Sequence, residues 1–122
     1  MVADASNHTI LMFDREGNLL DQFGEPGTEP GQLNYPYDLA IAPDGTFFVL
    51  EYGNCRVSHF SAEGEFLGWW GKPGYFEGEL NRPWGLTIFQ DGAIAIADTE
   101  NGRIHIIDEP RRHFRAPGGP AS

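Results

Sequence analysis

An acidic residue stands at positions 4, 51 and 98, and an arginine follows five residues later in two of the three cases, Arg56 and Arg103. Carboxylates recurring at one spacing suit a metal or acid–base centre if they converge, or a set of ion pairs if each meets its own arginine. The common interval of 47 residues between Asp4, Glu51 and Asp98 favours ion pairs, because residues that return in every unit of a repeat serve the unit. Glu51 with Arg56 and Asp98 with Arg103 are therefore read as structural pairs across a hairpin. Thr9 replaces the arginine in the first unit, which makes the pair useful rather than indispensable.

The remaining chemically capable residues give no catalytic or metal constellation. His59 aligns with Ile106 and His105 with Ser58 at the same interval, so the two imidazoles point to alternating faces, while His8 falls in a turn and His113 near the end. Asn7, Asn54 and Asn101 recur in one turn, where asparagine tolerates positive φ; Asn7-His8-Thr9 also spells a glycosylation acceptor, but the aligned asparagines favour turn formation. Cys55 is the single cysteine, which excludes an internal disulfide. No nucleophile elbow, phosphate-cradling loop, HExxH or CxxC pattern occurs, so no catalytic residue, metal ligand or cofactor is assigned.

The elements that must position these residues follow from the repeat. A shift of 47 residues carries Pro36 onto Pro83, Asp44-Gly45 onto Asp91-Gly92, Leu33-Asn34 onto Leu80-Asn81 and Gly24 onto Gly71. Within residues 37–83 four apolar runs, Asp38 to Ala42, Thr46 to Leu50, Arg56 to Phe60 and Glu65 to Trp70, are separated by glycine or asparagine turns. They predict four antiparallel strands joined by hairpins, an all-β chain that requires no helix. Four strands recurring every 40 to 50 residues, roughly, is the pattern of a propeller blade. Leu39, Ile41, Phe48, Leu50, Val57 and Phe60, with Leu86, Ile88, Ala95, Ala97, Ile104 and Ile107, are expected to fill the layers between blades.

The cycle from Pro36-Tyr37-Asp38-Leu39 through Asn54-Cys55-Arg56-Val57 to Gly68-Trp69-Trp70-Gly71 resembles an NHL repeat, as does Pro83-Trp84-Gly85-Leu86 through Asn101-Gly102-Arg103-Ile104. The resemblance runs over residues 2–110 and implies part of a ring of about six blades. Residues 1–36 then form a partial blade, 37–83 a complete one, 84–110 a partial one and 111–122 a flexible tail that holds the basic cluster Arg111, Arg112 and Arg115. Phe114 falls where Leu20 and Leu67 predict an apolar residue, which allows a ragged fourth strand there. The missing blades are expected from a parent chain or from homo-oligomerisation. Met1 aligns with Phe48, in mid-strand, which favours an excerpt of a longer protein.

The loops entering the innermost strands gather at one rim of such a ring. Tyr35, Tyr37, Asp38, Arg82 and Trp84 vary between copies whose neighbours match, and they are the candidate ligand rim. Trp69, Trp70, Tyr75 and Phe76 are expected to pack near the blade edge. The function expected is a non-catalytic scaffold binding a protein, peptide or carbohydrate. The alternative implied by the resemblance is a propeller lyase or hydrolase with metal ligands near the axis, in blades outside this chain. A net charge of −10 disfavours a nucleic acid, and no apolar run approaches the length needed to cross a bilayer, so neither a nucleic acid nor a membrane is expected as a partner; the sequence assigns no compartment.

Overall fold

Short β-branched and aromatic runs between glycine turns become ten strands in a computed structural model, which describes residues 1–115. They are β1 (Val2–Asp4), β2 (Thr9–Phe13), β3 (Leu19–Phe23), β4 (Pro36–Ile41), β5 (Phe47–Glu51), β6 (Arg56–Phe60), β7 (Phe66–Trp70), β8 (Gly85–Ile88), β9 (Ile94–Asp98) and β10 (Arg103–Ile107). Three antiparallel sheets result, ordered β1-β2-β3, β4-β5-β6-β7 and β8-β9-β10. The second is a complete four-stranded blade. In the described residues the first has no strand equivalent to β4, and the third none equivalent to β7.

Register proves the repeat more stringently than composition. Asp4 faces Thr9, Glu51 faces Arg56 and Asp98 faces Arg103, each pair closing the same hairpin in its own sheet. The β4–β5 and β8–β9 turns depend on aspartate carboxylates that accept backbone N–H groups two residues on, Asp44 from Thr46 at 3.0 Å and Asp91 from Ala93 at 3.0 Å. Gly45, at φ 88°, supplies the left-handed residue that such a turn needs.

Two apolar layers separate the three sheets. The first joins Ile10 and Leu33 to Phe47, Val49 and Phe60, with Ala3, Phe23 and Leu39 packed against them. The second joins Phe48, Leu50 and Val57 to Leu86, Ile94, Ile96 and Ile107. Every residue of β5 is buried, because alternate side chains enter different layers. Each large side chain so buried contributes about 1.5–3 kcal/mol.

The layer expected from sequence is corrected at several positions. Ile94 and Ile96, rather than Ala95 and Ala97, enter the second layer. Ile104 and Ile41 are 70% and 52% exposed. Ala95, Ala97 and Ile104 are the equivalents of Phe48, Leu50 and Val57, so they occupy the face of the third sheet that looks away from the second.

The chain end departs from the expected tail. Helix α1 (Pro110–His113) follows β10, with proline in its first turn. Phe114 then sets its ring edge against Phe48 at 5.5 Å and His59 at 6.1 Å. Arg115 donates its N–H to the Trp69 carbonyl at 2.8 Å and accepts from the Trp69 N–H at 3.0 Å. Phe114 thus contributes apolar area as its alignment suggests, but the backbone beyond it joins the edge of β7 and not that of β10. Of the segment expected as a tail, residues 116–122 lie outside the described residues.

Candidate functional site

The two acid–arginine pairs act as anchors for the loops between blades. Glu51 is fully buried and accepts at one oxygen from the Asn34 N–H (3.2 Å) and the Asn54 amide (2.8 Å). Its other oxygen accepts from Arg56 Nε at 2.8 Å and from the Ser58 hydroxyl. The Arg56 guanidinium then donates to the carbonyls of Thr28, Glu29 and Gln32 at 2.9, 3.1 and 2.7 Å. One arginine therefore fixes the loop that leads into β4 and neutralises the carboxylate beneath it.

The third blade repeats the device with substitutions. Asp98 accepts from the Asn81 N–H at 2.8 Å, the Asn101 amide at 2.9 Å and Arg103 Nε at 2.9 Å, while His105 Nε2 lies 3.0 Å away in the place of Ser58. Arg103 reaches the carbonyls of Phe76 and Glu79 at 2.7 and 3.1 Å. Burial alone raises the Asp98 carboxyl, but the Asn81, Asn101, His105 and Arg103 donors outweigh it and hold the group below its ordinary value of 3.8. In the first blade Asp4 accepts from the Asn7 amide at 2.8 Å, and Thr9 replaces the arginine.

The residues singled out by variation between copies lie on and beside these anchored loops. Tyr35 and Arg82 occupy the same repeat position, and both adopt φ near 50°, a conformation costly for residues other than glycine. The anchored loops hold them there: the Tyr35 carbonyl accepts the Tyr52 N–H at 2.9 Å and the Asn34 carbonyl accepts the Gly53 N–H at 3.0 Å. Backbone held in such a conformation is rigid, which suits a surface that must keep its shape.

The aromatic members divide into two groups. Tyr37 stacks on Tyr52 at 4.9 Å and meets Trp84 edge-on at 6.1 Å, bringing one residue from each side of the interblade seam together. Tyr35 instead pairs with His8, edge-on at 4.6 Å, and its N–H donates to His8 Nδ1 at 2.9 Å. Tyr35, Tyr37 and Trp84 are each exposed by 45% or more. Arg82 is also exposed, at the entrance to β8.

Asp38 has a different place from the rest of the predicted rim. One of its oxygens accepts the Leu39 N–H at 2.9 Å and the other the Leu86 N–H at 3.0 Å, so the carboxylate clasps β4 to β8. Tyr75 and Phe76, expected against the blade edge, are instead 69% and 66% exposed and pack on one another at 4.8 Å, because their loop turns its backbone carbonyls toward Arg103 and its side chains outward. The four histidines stand in four separate settings, and among the described residues no three His, Cys, Asp or Glu side chains are grouped to hold a metal ion.

Tyr52 and His8 pack on Tyr37 and Tyr35 but were not singled out from sequence. Tyr52 carries the same signal as Tyr37, since Thr99 replaces it in the next copy. His8 aligns with Cys55 and Gly102, and all three adopt φ between 50° and 64°; the glycine in the third copy is the clue to that conformation. Tyr35 and Arg82 offered no such clue, having glycine in neither copy.

Comparison with known proteins agrees with this geometry. Residues 80–107, from the anchored loop through β10, match the family model described as NHL repeat. A stretch of 41 residues, 34% of this chain, is 49% identical to protein brain tumor of Drosophila melanogaster, of which the match covers 4%; the chain thus corresponds to only a small part of that relative. With the repeat register, the blade topology and the recurring acid–arginine anchors all agreeing, the chain carries an NHL repeat at residues 80–107 and forms a β-propeller segment.

Proposed function

We propose that this propeller segment is a non-catalytic binding module whose interblade rim engages a protein or peptide. The observation that carries the reading is the Tyr37–Tyr52–Trp84 group, exposed at Tyr37 and Trp84 and held across the seam between two blades by loops that the Glu51–Arg56 and Asp98–Arg103 pairs anchor. Tyrosine, tryptophan and arginine supply large contact area at little cost in side-chain entropy and dominate the energetics of protein interfaces. Arg82, two residues before Trp84, adds a planar donor to the same rim. A carbohydrate would also stack on such rings, whereas the net charge of −10 works against a phosphate backbone. The remaining blades, about six in all by the family resemblance, come from a parent chain or from further copies.

The test is selection of peptides from a random display library on the immobilised chain, with a glycan array and a single-stranded RNA pool run in parallel. Peptides that bind the native chain are expected to lose about 2 kcal/mol each toward Tyr37→Ala and Trp84→Ala. Selected peptides that bind the doubly substituted chain unchanged, or selective capture of RNA or glycan alone, would overturn the reading.

A further inference from the structure

Two loops cross between blades at the same end of the sheets, residues 24–35 and 71–82, and they share one frame. Asn54 donates to the Gly27 carbonyl at 3.0 Å, and Asn101 donates to the Gly74 carbonyl at 3.0 Å. Arg56 reaches the carbonyls of Glu29 and Gln32 where Arg103 reaches those of Phe76 and Glu79. The Glu29 N–H donates to Gln32 Oε1 at 3.1 Å, as the Phe76 N–H does to Glu79 Oε1 at 3.1 Å. This frame uses only backbone groups at its crest, which carries Thr28 and Glu29 in the first loop but Tyr75 and Phe76 in the second.

Thr28 and Glu29 are exposed although the blade beside them, β4 to β7, has all four of its strands. The shape of the loop therefore turns the crest to solvent, and it does the same to Tyr75 and Phe76, whose rings pack on one another at 4.8 Å. Two large rings that the fold neither buries nor needs form a contact surface, since polar residues serve equally well in the first loop. Glu77 follows the pair and is exposed with it.

We propose that Tyr75 and Phe76, with Glu77 beside them, form a docking site for an arginine side chain presented by a partner protein. A guanidinium is planar and weakly hydrated, so it lies on an aromatic face, where the ring quadrupole attracts its charge, while its edge donates to a carboxylate. Charge decides for a cation. The two loops and the β9–β10 turn place glutamates at positions 25, 29, 77, 79 and 100 against Lys72 and Arg82 alone, and Lys72 lies 3.6 Å from Glu79. An acidic or phosphate-bearing partner meets repulsion at the same surface. The site shares no residue with the Tyr37–Tyr52–Trp84 group, and its occupancy does not depend on that group.

The experiment titrates the whole chain into a fluorescein-labelled peptide of alternating arginine and glycine at about 0.15 M salt and follows anisotropy. Saturable binding is expected, weakened about tenfold when citrulline, the neutral isostere, or leucine replaces arginine. Tyr75→Thr with Phe76→Gln keeps the net charge and gives the crest polar side chains like those of the first loop; it should weaken binding about tenfold with the β circular dichroism retained. Glu77→Gln should weaken it several-fold, whereas Tyr37→Ala with Trp84→Ala should leave it unchanged. Should the Thr/Gln variant unfold, the citrulline and leucine peptides and Glu77→Gln decide the matter. No binding, equal binding of the citrulline or leucine peptide, or full binding by the folded Thr/Gln variant overturns the proposal. Loss of binding only in the Tyr37→Ala, Trp84→Ala chain would move the arginine to the other aromatic group and overturn this site while sparing that one. Sedimentation of the native chain, but not of the Thr/Gln variant, with phosphatidylcholine vesicles would assign the pair to a membrane surface instead.

Discussion

Arg56 and Glu51 lie five residues apart in sequence and meet at 2.8 Å inside the middle blade, with the arginine side chain 8% exposed and the glutamate not at all. The contact joins two levels of the structure. Its carboxylate end belongs to the β5–β6 hairpin, and its guanidinium end holds three carbonyls of the loop that brings the chain into β4.

Removing the arginine leaves a buried carboxylate without its cation and three carbonyls without donors. Arg56→Ala is expected to destabilise the chain by about 3–5 kcal/mol. Arg103→Ala, whose side chain is 33% exposed, should cost about 1–2 kcal/mol. Urea denaturation of the two variants beside the native chain checks the order; equal losses would show that burial does not set the strength of the anchor.

Asp98 yields a pH dependence. Its carboxyl lies below the ordinary 3.8 in the folded chain, so folding favours the ionised form. That contribution is complete above the unfolded value of about 4 and is lost as pH falls through the lower folded value. Asp98→Asn should therefore flatten the stability profile between about pH 5 and pH 2, measured as urea midpoints over that range. A variant profile as steep as the native one would place the acid sensitivity elsewhere.

Thr9 is 5% exposed, and its hydroxyl finds no hydrogen-bond partner among the described residues. Thr9→Val keeps the shape and discards the unpaired hydroxyl, so it should raise stability by about 1 kcal/mol. A loss in thermal denaturation would mean that the hydroxyl is in fact engaged.

At Gly68 a side chain would stand 2.5 Å from the Arg115 carbonyl oxygen. Gly68→Ala should push the strap at Phe114 and Arg115 off the edge of β7 while sparing the β6–β7 ladder. Amide hydrogen exchange reads this directly, with faster exchange expected at Trp69 and none of the same size at Trp70. Unchanged protection at Trp69 would refute the pairing.

The blades were legible because their signals recur. A single Asp-Gly or Asn turn is weak evidence, but Asp44-Gly45 and Asp91-Gly92 in one register, with Glu51 and Asp98 opposite their arginines, leave little freedom. Which residues enter which layer was harder to read. β5 is apolar on both faces, so periodicity did not say whether Phe47 or Phe48 belonged to a given seam; the seam is met by Phe48 from one sheet and by Ile94, the equivalent of Phe47, from the next. Variation between copies singled out Tyr35, Tyr37 and Trp84, which the structure leaves exposed, yet it also selected Asp38, whose carboxylate clasps Leu86. The turn of the chain at Pro110 toward β7 left no local trace, since it depends on where Phe114 finds an apolar surface.

The double-sided burial of β5 has a mechanical meaning. Phe47 and Phe48 are neighbours along one strand yet belong to opposite seams. A blade built this way is a shared wall between two rooms: when it gives way, both seams open together, and neither outer sheet retains a partner. The three sheets should therefore melt in a single transition governed by the middle one, and a ring made of such blades would resist heat through the coupling of its neighbours more than through the strength of any one sheet.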